Sequence, residues 1–217
     1  MPDYTFPQHF KVHFPAPFVA HVEISRPSKL NAFSLPMWSE YRQIFTLLST
    51  DPSIRAILLS GAGPRAFTAG LDITSSPLAL RTDVDPARAA WAMRNLIADW
   101  QDAISTPENC PKPVISILHG ICYGLAVDIA CATDIRLAAA DAKISVKEVD
   151  IGIAADIGTL SRLPKIVGSA SWVKEVVLTA RVFGAEEARE KGFVSAVFKD
   201  KEEALKEGLR LAAASHA

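Results

Sequence analysis

Residues 113–158 read PVISILHGICYGLAVDIACATDIRLAAADAKISVKEVDIGIAADIG. Lys112–Leu118 is a near-continuous apolar run, the pattern of a strand covered on both faces. His119-Gly120 ends it, and Gly124 precedes a short apolar helix, LAVDIACAT. Asp134–Ala138 reads as another strand, and ISVKEVDIG as an extended segment. Within this apolar stretch stand three acids, Asp128, Glu148 and Asp156. An unpaired buried carboxylate costs several kcal/mol or takes up a proton, so a chain that folds around such groups has a use for them.

The flanking sequence extends the same pattern. FKVHF and FVAHVEISRP alternate as two short strands within residues 10–27, with Phe18, Ala20, Val22 and Ile24 on one face. Residues 26–32 form a loop, and Ser34 stands as N-cap of a helix running to about Thr50. IRAILLS, residues 54–60, is a second buried strand, followed by the small-residue loop of residues 61–72. Residues 74–86 read as an irregular loop, and a helix spans about Ala87 to Ser105. After residue 158 the pattern predicts helices at 158–168, 170–180 and 185–191, a strand in VSAVF, and a last helix capped by Asp200. Alternating strands and helices indicate an α/β fold.

Composition limits the partners. With 23 basic and 24 acidic residues among 217, the net charge of −1 offers no basic stripe for a nucleic acid. Asp128 and Asp134 interrupt the most apolar region, so no run reaches the length of a membrane span. Cys110, Cys122 and Cys131 have no metal-ligand spacing and read as reduced thiols near the core. The N-terminal residues show no targeting signal. A metal site is not expected from that cysteine spacing.

Two loops carry the chemistry. AFTAGLD, residues 66–72, and HGICYGLAVD, residues 119–128, each follow a buried strand, where α/β folds place ligands. Two backbone N–H groups converging from these loops would make an oxyanion hole; the other reading is that both are merely tight strand–helix turns. Asp128 reads either as a functional acid or as a buried carboxylate satisfied by a nearby N–H or Arg. Glu148 reads as an acid of the same site or as a solvated charge on an edge strand. Asp156 reads as a third such acid or as a helix cap near Gly158. Asp72 and Asp150 look like turn or surface acids. His9, His13 and His21 are expected to face solvent, and His119 has no sequence partner.

AFTAGLD, HGICYGLAVDIACATDIRLA, ISVKEVDIGIAADIGTLSRLPKIVG and LTARVFGAEEAREKGFVSAVF together resemble the crotonase, or enoyl-CoA hydratase/isomerase, superfamily. The trio Asp128, Glu148 and Asp156 is similar to its Δ3,5-Δ2,4-dienoyl-CoA isomerase branch. The resemblance implies a spiral of ββα units over residues 1–199. Residues 200–217 would begin a C-terminal helical segment that is truncated here and that builds a trimer or a dimer of trimers in the family. It implies an acyl-CoA substrate, with coenzyme A part of the substrate and no separate cofactor, and a mitochondrial or peroxisomal setting. The N–H groups of Leu71 and Leu125 would hold the thioester oxygen. Glu148 would take a proton from C2, Asp156 would deliver one at C6, and Asp128 would tune the pair. Substrate contacts would fall on Lys29, Arg65, Ala69, Gly70, Leu71, Asp72, Ile73 and Leu125. The family has a glycine triplet where this chain has Gly124-Leu125-Ala126, so the Leu125 side chain must turn away from the thioester. Hydration of an enoyl-CoA, Δ3-Δ2 isomerisation, and a non-catalytic CoA-binding or assembly role are the competing readings.

Overall fold

The computed structural model describes Tyr4 and residues 9–74 and 85–214. Among the described residues ten strands form two sheets. The larger is built from β1 (Phe10–Ala16), β2 (Val19–Ile24), β3 (Ala56–Gly61), β5 (Val114–Leu118), β7 (Ile135–Ala139) and β10 (Ala196–Phe198), neighbours in that order. The smaller orders β4 (Ala66–Thr68), β6 (Ile121–Tyr123), β8 (Lys143–Ser145) and β9 (Phe183–Gly184). The chain alternates between them: β3 then β4, β5 then β6, β7 then β8. Each pair contributes one strand to each sheet, the spiral of ββα units expected. From β2 to β10 the large sheet is parallel, and β3 and β5 are buried along their whole length, hence their near-continuous apolar runs.

Helices fill the gaps. α1 (Leu35–Thr50) buries Met37, Trp38, Tyr41, Ile44, Phe45 and Leu48, positions that recur every three or four residues and so share one face. Ser34 does stand at its N-cap, but the hydroxyl finds no partner there; the Ser34 N–H instead meets Met37 Sδ at 3.3 Å. α2 (Pro86–Ile104) starts from Asp85, whose Oδ1 accepts from the N–H groups of Ala87 and Arg88. α3 (Leu125–Cys131) is buried on every side. α4 (Thr159–Val167), α5 (Ala170–Thr179) and α6 (Ala185–Glu190) follow. α7 (Lys201–Ala214) lies across the far face of the large sheet. There Ala204 and Ala212 join Leu58, Ile115, Ile117 and Leu137 in a second apolar core. Its Lys201 Nζ donates to Gly61 O at 2.7 Å.

Several expectations need correction. The loops of residues 61–72 and 119–124 each contain a three-residue strand, β4 and β6. Runs so short show little periodicity, and they are strands only because a neighbour supplies the ladder. ISVKEVDIG is extended only through Ser145; Glu148–Ile151 is a 3-10 turn. Phe18 is not on the inner face of β2: it sits in the hairpin turn at φ 63°, with the Arg55 guanidinium 4.5 Å from its ring centroid. His21 does not face solvent either. Its Nε2 is 2.9 Å from Ser60 Oγ, and burial pushes its pKa down to about 4, which keeps the ring neutral. Most of the irregular loop at 74–86 lies outside the described residues.

Candidate active site

The first wall of the site is the loop after β4. Thr68 Oγ1 donates to Asn31 O at 2.8 Å and accepts from Gly70 N at 3.1 Å. Buried Asn31 ties the same two segments together, its Nδ2 donating to Ala62 O and Ala66 O at 3.0 and 2.8 Å. Phe33 N donates to Gly70 O, and Asp72 N donates to Phe33 O. That bridge engages the amides of Phe33 and Asp72 and leaves the Leu71 N–H outside it.

Of the two readings offered for Asp72, turn acid holds and surface acid does not: its Oδ1 accepts from Thr74 N at 3.1 Å and from Thr74 Oγ1 at 2.6 Å. It is 8% exposed, and its Oδ2 accepts from Arg26 Nη1 at 2.7 Å. Bonds from Thr74 and Arg26 hold its carboxyl down at about 2. Arg26 also donates to Ala32 O, so the pair locks the start of one loop to the end of the other.

The second wall is the turn from β6 into α3. Gly70, at φ 97°, faces it so closely that a Cβ there would stand 2.7 Å from Tyr123 O and 3.5 Å from Leu125 N. Only glycine tolerates both that conformation and that approach. The contact sets the backbone of residues 70–71 beside the first amide of α3. Leu125 N–H is a first-turn donor that the helix itself cannot satisfy. The Leu125 side chain is 3% exposed and belongs to the apolar core.

The acids differ in setting. Asp128 is wholly buried, and its Oδ1 accepts from Thr159 N at 2.6 Å and Thr159 Oγ1 at 2.8 Å. It therefore caps α4 from a distant helix, the role the sequence offered to Asp156. Burial pushes its carboxyl up to about 6 against the pull of those bonds. Glu148 opens the 3-10 turn, half-buried, and its buried Oε2 has no hydrogen-bond partner. Burial first, and then the charge of Asp128, push it up to about 7. Its Oε1 lies 3.1 Å from where a Cβ on Gly124 would be. The edge-strand reading of Glu148 fails, because residues 148–151 pair with no strand. Asp156 is exposed rather than buried, and its backbone carbonyl accepts from Gln101 Nε2 at 2.8 Å.

All three acids line one cavity of about 870 Å³. Leu71, Leu125, Ala69, Gly70, Asp72, Ile73 and Lys29 share its wall. Arg65 lies outside it, exposed, with Nη2 donating to Pro27 O at 2.9 Å. Sequence reading missed the opposite wall: Trp38 of α1 stacks on Trp100 of α2, ring centroids 4.5 Å apart, and Met93 and Ile97 continue it. The periodicity placed Trp38, Ile97 and Trp100 on helix faces, but nothing in a helical stripe distinguishes a cavity wall from solid core. His119 is fully buried, its Nε2 at 3.0 Å from Gly63 O. Among the described residues no cluster of His, Cys, Asp or Glu is placed to hold a metal ion, and no helix is long and apolar enough to cross a membrane.

Sequence comparison places this geometry. The profile of the family described as enoyl-CoA hydratase/isomerase matches residues 17–216. The chain belongs to that family. Family members with curated functions include the mitochondrial Delta(3,5)-Delta(2,4)-dienoyl-CoA isomerase of Homo sapiens, 44% identical over 98% of this chain. The chain spans 65% of that relative's length. The peroxisomal enzyme of the same name from Arabidopsis thaliana is 44% identical over 85% of this chain and is 67% covered. Among solved family structures, an enoyl-CoA hydratase from Bacillus anthracis superposes with a TM-score of 0.84 at 27% identity, over 96% of this chain and 77% of its own.

Proposed function

We propose that the protein isomerises 3,5-dienoyl-CoA thioesters to their 2,4-dienoyl isomers. One observation carries the reading: Asp128, Glu148 and Asp156 line a single, largely apolar cavity beside the backbone of Leu71 and Leu125. The relatives named as dienoyl-CoA isomerases support it. A thioester oxygen held by the Leu71 and Leu125 amides would gain negative charge as C2 loses its proton, and fixed donors stabilise that charge without reorganising. Glu148, poised near neutral pH with a bare Oε2, takes the C2 proton. The charge spreads along the conjugated chain to C6, where Asp156 delivers a proton; solvent at its exposed carboxyl then resupplies Asp156 as Glu148 gives up the C2 proton. Asp128 keeps Glu148 basic by its own charge. Only protons move, so neither a metal nor a redox group is needed.

Lys29 and the loop residues Ala69, Gly70, Asp72 and Ile73 contact the CoA ester, with Arg65 near its phosphates. The setting is mitochondrial or peroxisomal, like those of the relatives, and assembly as a trimer or a dimer of trimers follows the family resemblance.

The test is an absorbance assay on 3,5-octadienoyl-CoA that follows the conjugated 2,4-dienoyl product. Turnover is expected. Hydration of crotonyl-CoA with no dienoyl turnover would replace this reading with that of a hydratase, and CoA-ester binding without either reaction would leave a binding protein.

A further inference from the structure

Thr159 donates twice to the same oxygen of Asp128, through its N–H at 2.6 Å and its hydroxyl at 2.8 Å, and is itself fully buried. A helix cap needs one acceptor for an amide; the hydroxyl bond is additional. The fit is close, because a Cβ on the preceding Gly158 would stand 3.3 Å from Asp128 Cβ and 2.9 Å from Arg162 Nη1. Glu148, the half-buried acid of the site, has no partner on its buried Oε2. Asp128 Oδ1 takes two short bonds from Thr159, whereas Glu148 has only backbone amides of its own turn near it and a bare Oε2, which makes the pair unequal.

We propose that Thr159 is a positioning residue that holds Asp128 as the anion of the pair, so that Glu148 is the member that gains and loses the proton. This rests on the isomerase reading for its catalytic meaning, but the placement of the proton stands on the geometry alone.

The charged surroundings of Asp128 come from each element packed there. α4 brings Arg162, whose guanidinium is occupied by Glu108 Oε2 at 2.9 Å and Ser105 Oγ at 2.9 Å from the end of α2. The 3-10 turn brings Glu148, and the segment after it brings Asp156, which acts on Glu148. α3 itself contributes the buried Cys131 thiol, and α1 the buried Tyr41 phenol, which faces Arg162. Arg162 favours the Asp128 anion from a distance, whereas Thr159 touches it. Removing the hydroxyl should therefore act on Asp128 first and on Glu148 through it.

The experiment is a carboxyl-carbon NMR titration of the full chain carrying labelled Asp and Glu, assigned with Asp128→Asn and Glu148→Gln. In the unaltered protein Asp128 is expected to titrate below Glu148. In Thr159→Val its midpoint should rise by about one pH unit, the worth of one hydrogen bond to a charged group, while that of Glu148 falls. With 3,5-octadienoyl-CoA, kcat should drop about tenfold with KM within about twofold, and Thr159→Ser should restore both readouts. An Asp128 midpoint above that of Glu148 in the unaltered protein, or one unmoved in Thr159→Val, overturns the proposal. The first of these needs no variant, so it holds even if Thr159→Val fails to fold. The titration also needs no substrate, so a protein without isomerase activity would defeat the functional reading alone.

Discussion

The two sides of the cavity are built on opposite plans. On the inner side the loop after β4 and the start of α3 are fixed by buried or partly buried bonds: Asn31 to both strand ends, Arg26 to Asp72, Thr159 to Asp128. On the outer side residues 148–156 have no strand partner, and Val149, Ile151 and Ile153 are 43%, 49% and 37% exposed. The inner side holds amides and an anion in place before any substrate arrives, which is where preorganised dipoles are worth most. The outer side holds Glu148 and Asp156, the two acids to which the proposed mechanism assigns proton transfer. One of them has a free oxygen, and the other reaches solvent. Rigid donors and exchangeable acids thus come from different elements.

The largest expected effect falls on the outer side. Glu148→Gln should lower kcat for 3,5-octadienoyl-CoA by about a thousandfold with KM within a few-fold, since it removes the base and keeps the shape. An unchanged kcat would take Glu148 out of the chemistry. Asp156→Asn should cost about a hundredfold in the same assay while leaving CoA-ester affinity within a few-fold; equal loss of affinity would make Asp156 a binding residue instead.

On the inner side the damage should be to structure. Gly70→Ala forces a side chain into a positive-φ site against Tyr123 O, and should destabilise the fold by about 2 kcal/mol or more in denaturant unfolding. Wild-type stability in that variant would mean that the two loops are not held by this contact.

The smallest effect is in pH. Asp128 and Glu148 are raised in the folded state from 3.8 and 4.5 to about 6 and about 7, so the native chain binds more protons than the unfolded one in that interval. Their contribution is fully present below about pH 4 and is lost as pH rises through about 7. Glu148→Gln should flatten that decline, by on the order of 1–3 kcal/mol between the two ends. Asp72 has the opposite sign: held down at about 2, it stabilises above about pH 4 and loses that effect as pH falls through 2. A melting-temperature series across pH 2–8 in the two forms separates these contributions. Identical slopes would mean that burial does not raise Glu148.

Much of this architecture could be read along the chain. IRAILLS and PVISIL are strands because a near-continuous apolar run of that length has no other place to go than between covered faces. α1 and α2 follow from helical spacing. β4 and β6 could not be read, since three residues carry no period and the neighbouring strand decides their state. The same limit hid Asp128 as the cap of α4. A capping acid is sought just before its helix, and this one stands 31 positions away in sequence. Asp156, placed by the sequence in an apolar run, is exposed although Ala155 beside it is buried, because successive side chains of an irregular segment point to different sides.

The chain by itself determined the α/β alternation, the family and the identity of the acids, because apolar periodicity and residue type are local properties. Only the folded molecule decided which oxygen of which acid is bonded, which is bare, and that Trp38 and Trp100 close the opposite wall. Those depend on contacts between segments far apart in sequence, and proton affinity in a cavity is set by such neighbours rather than by the residue itself.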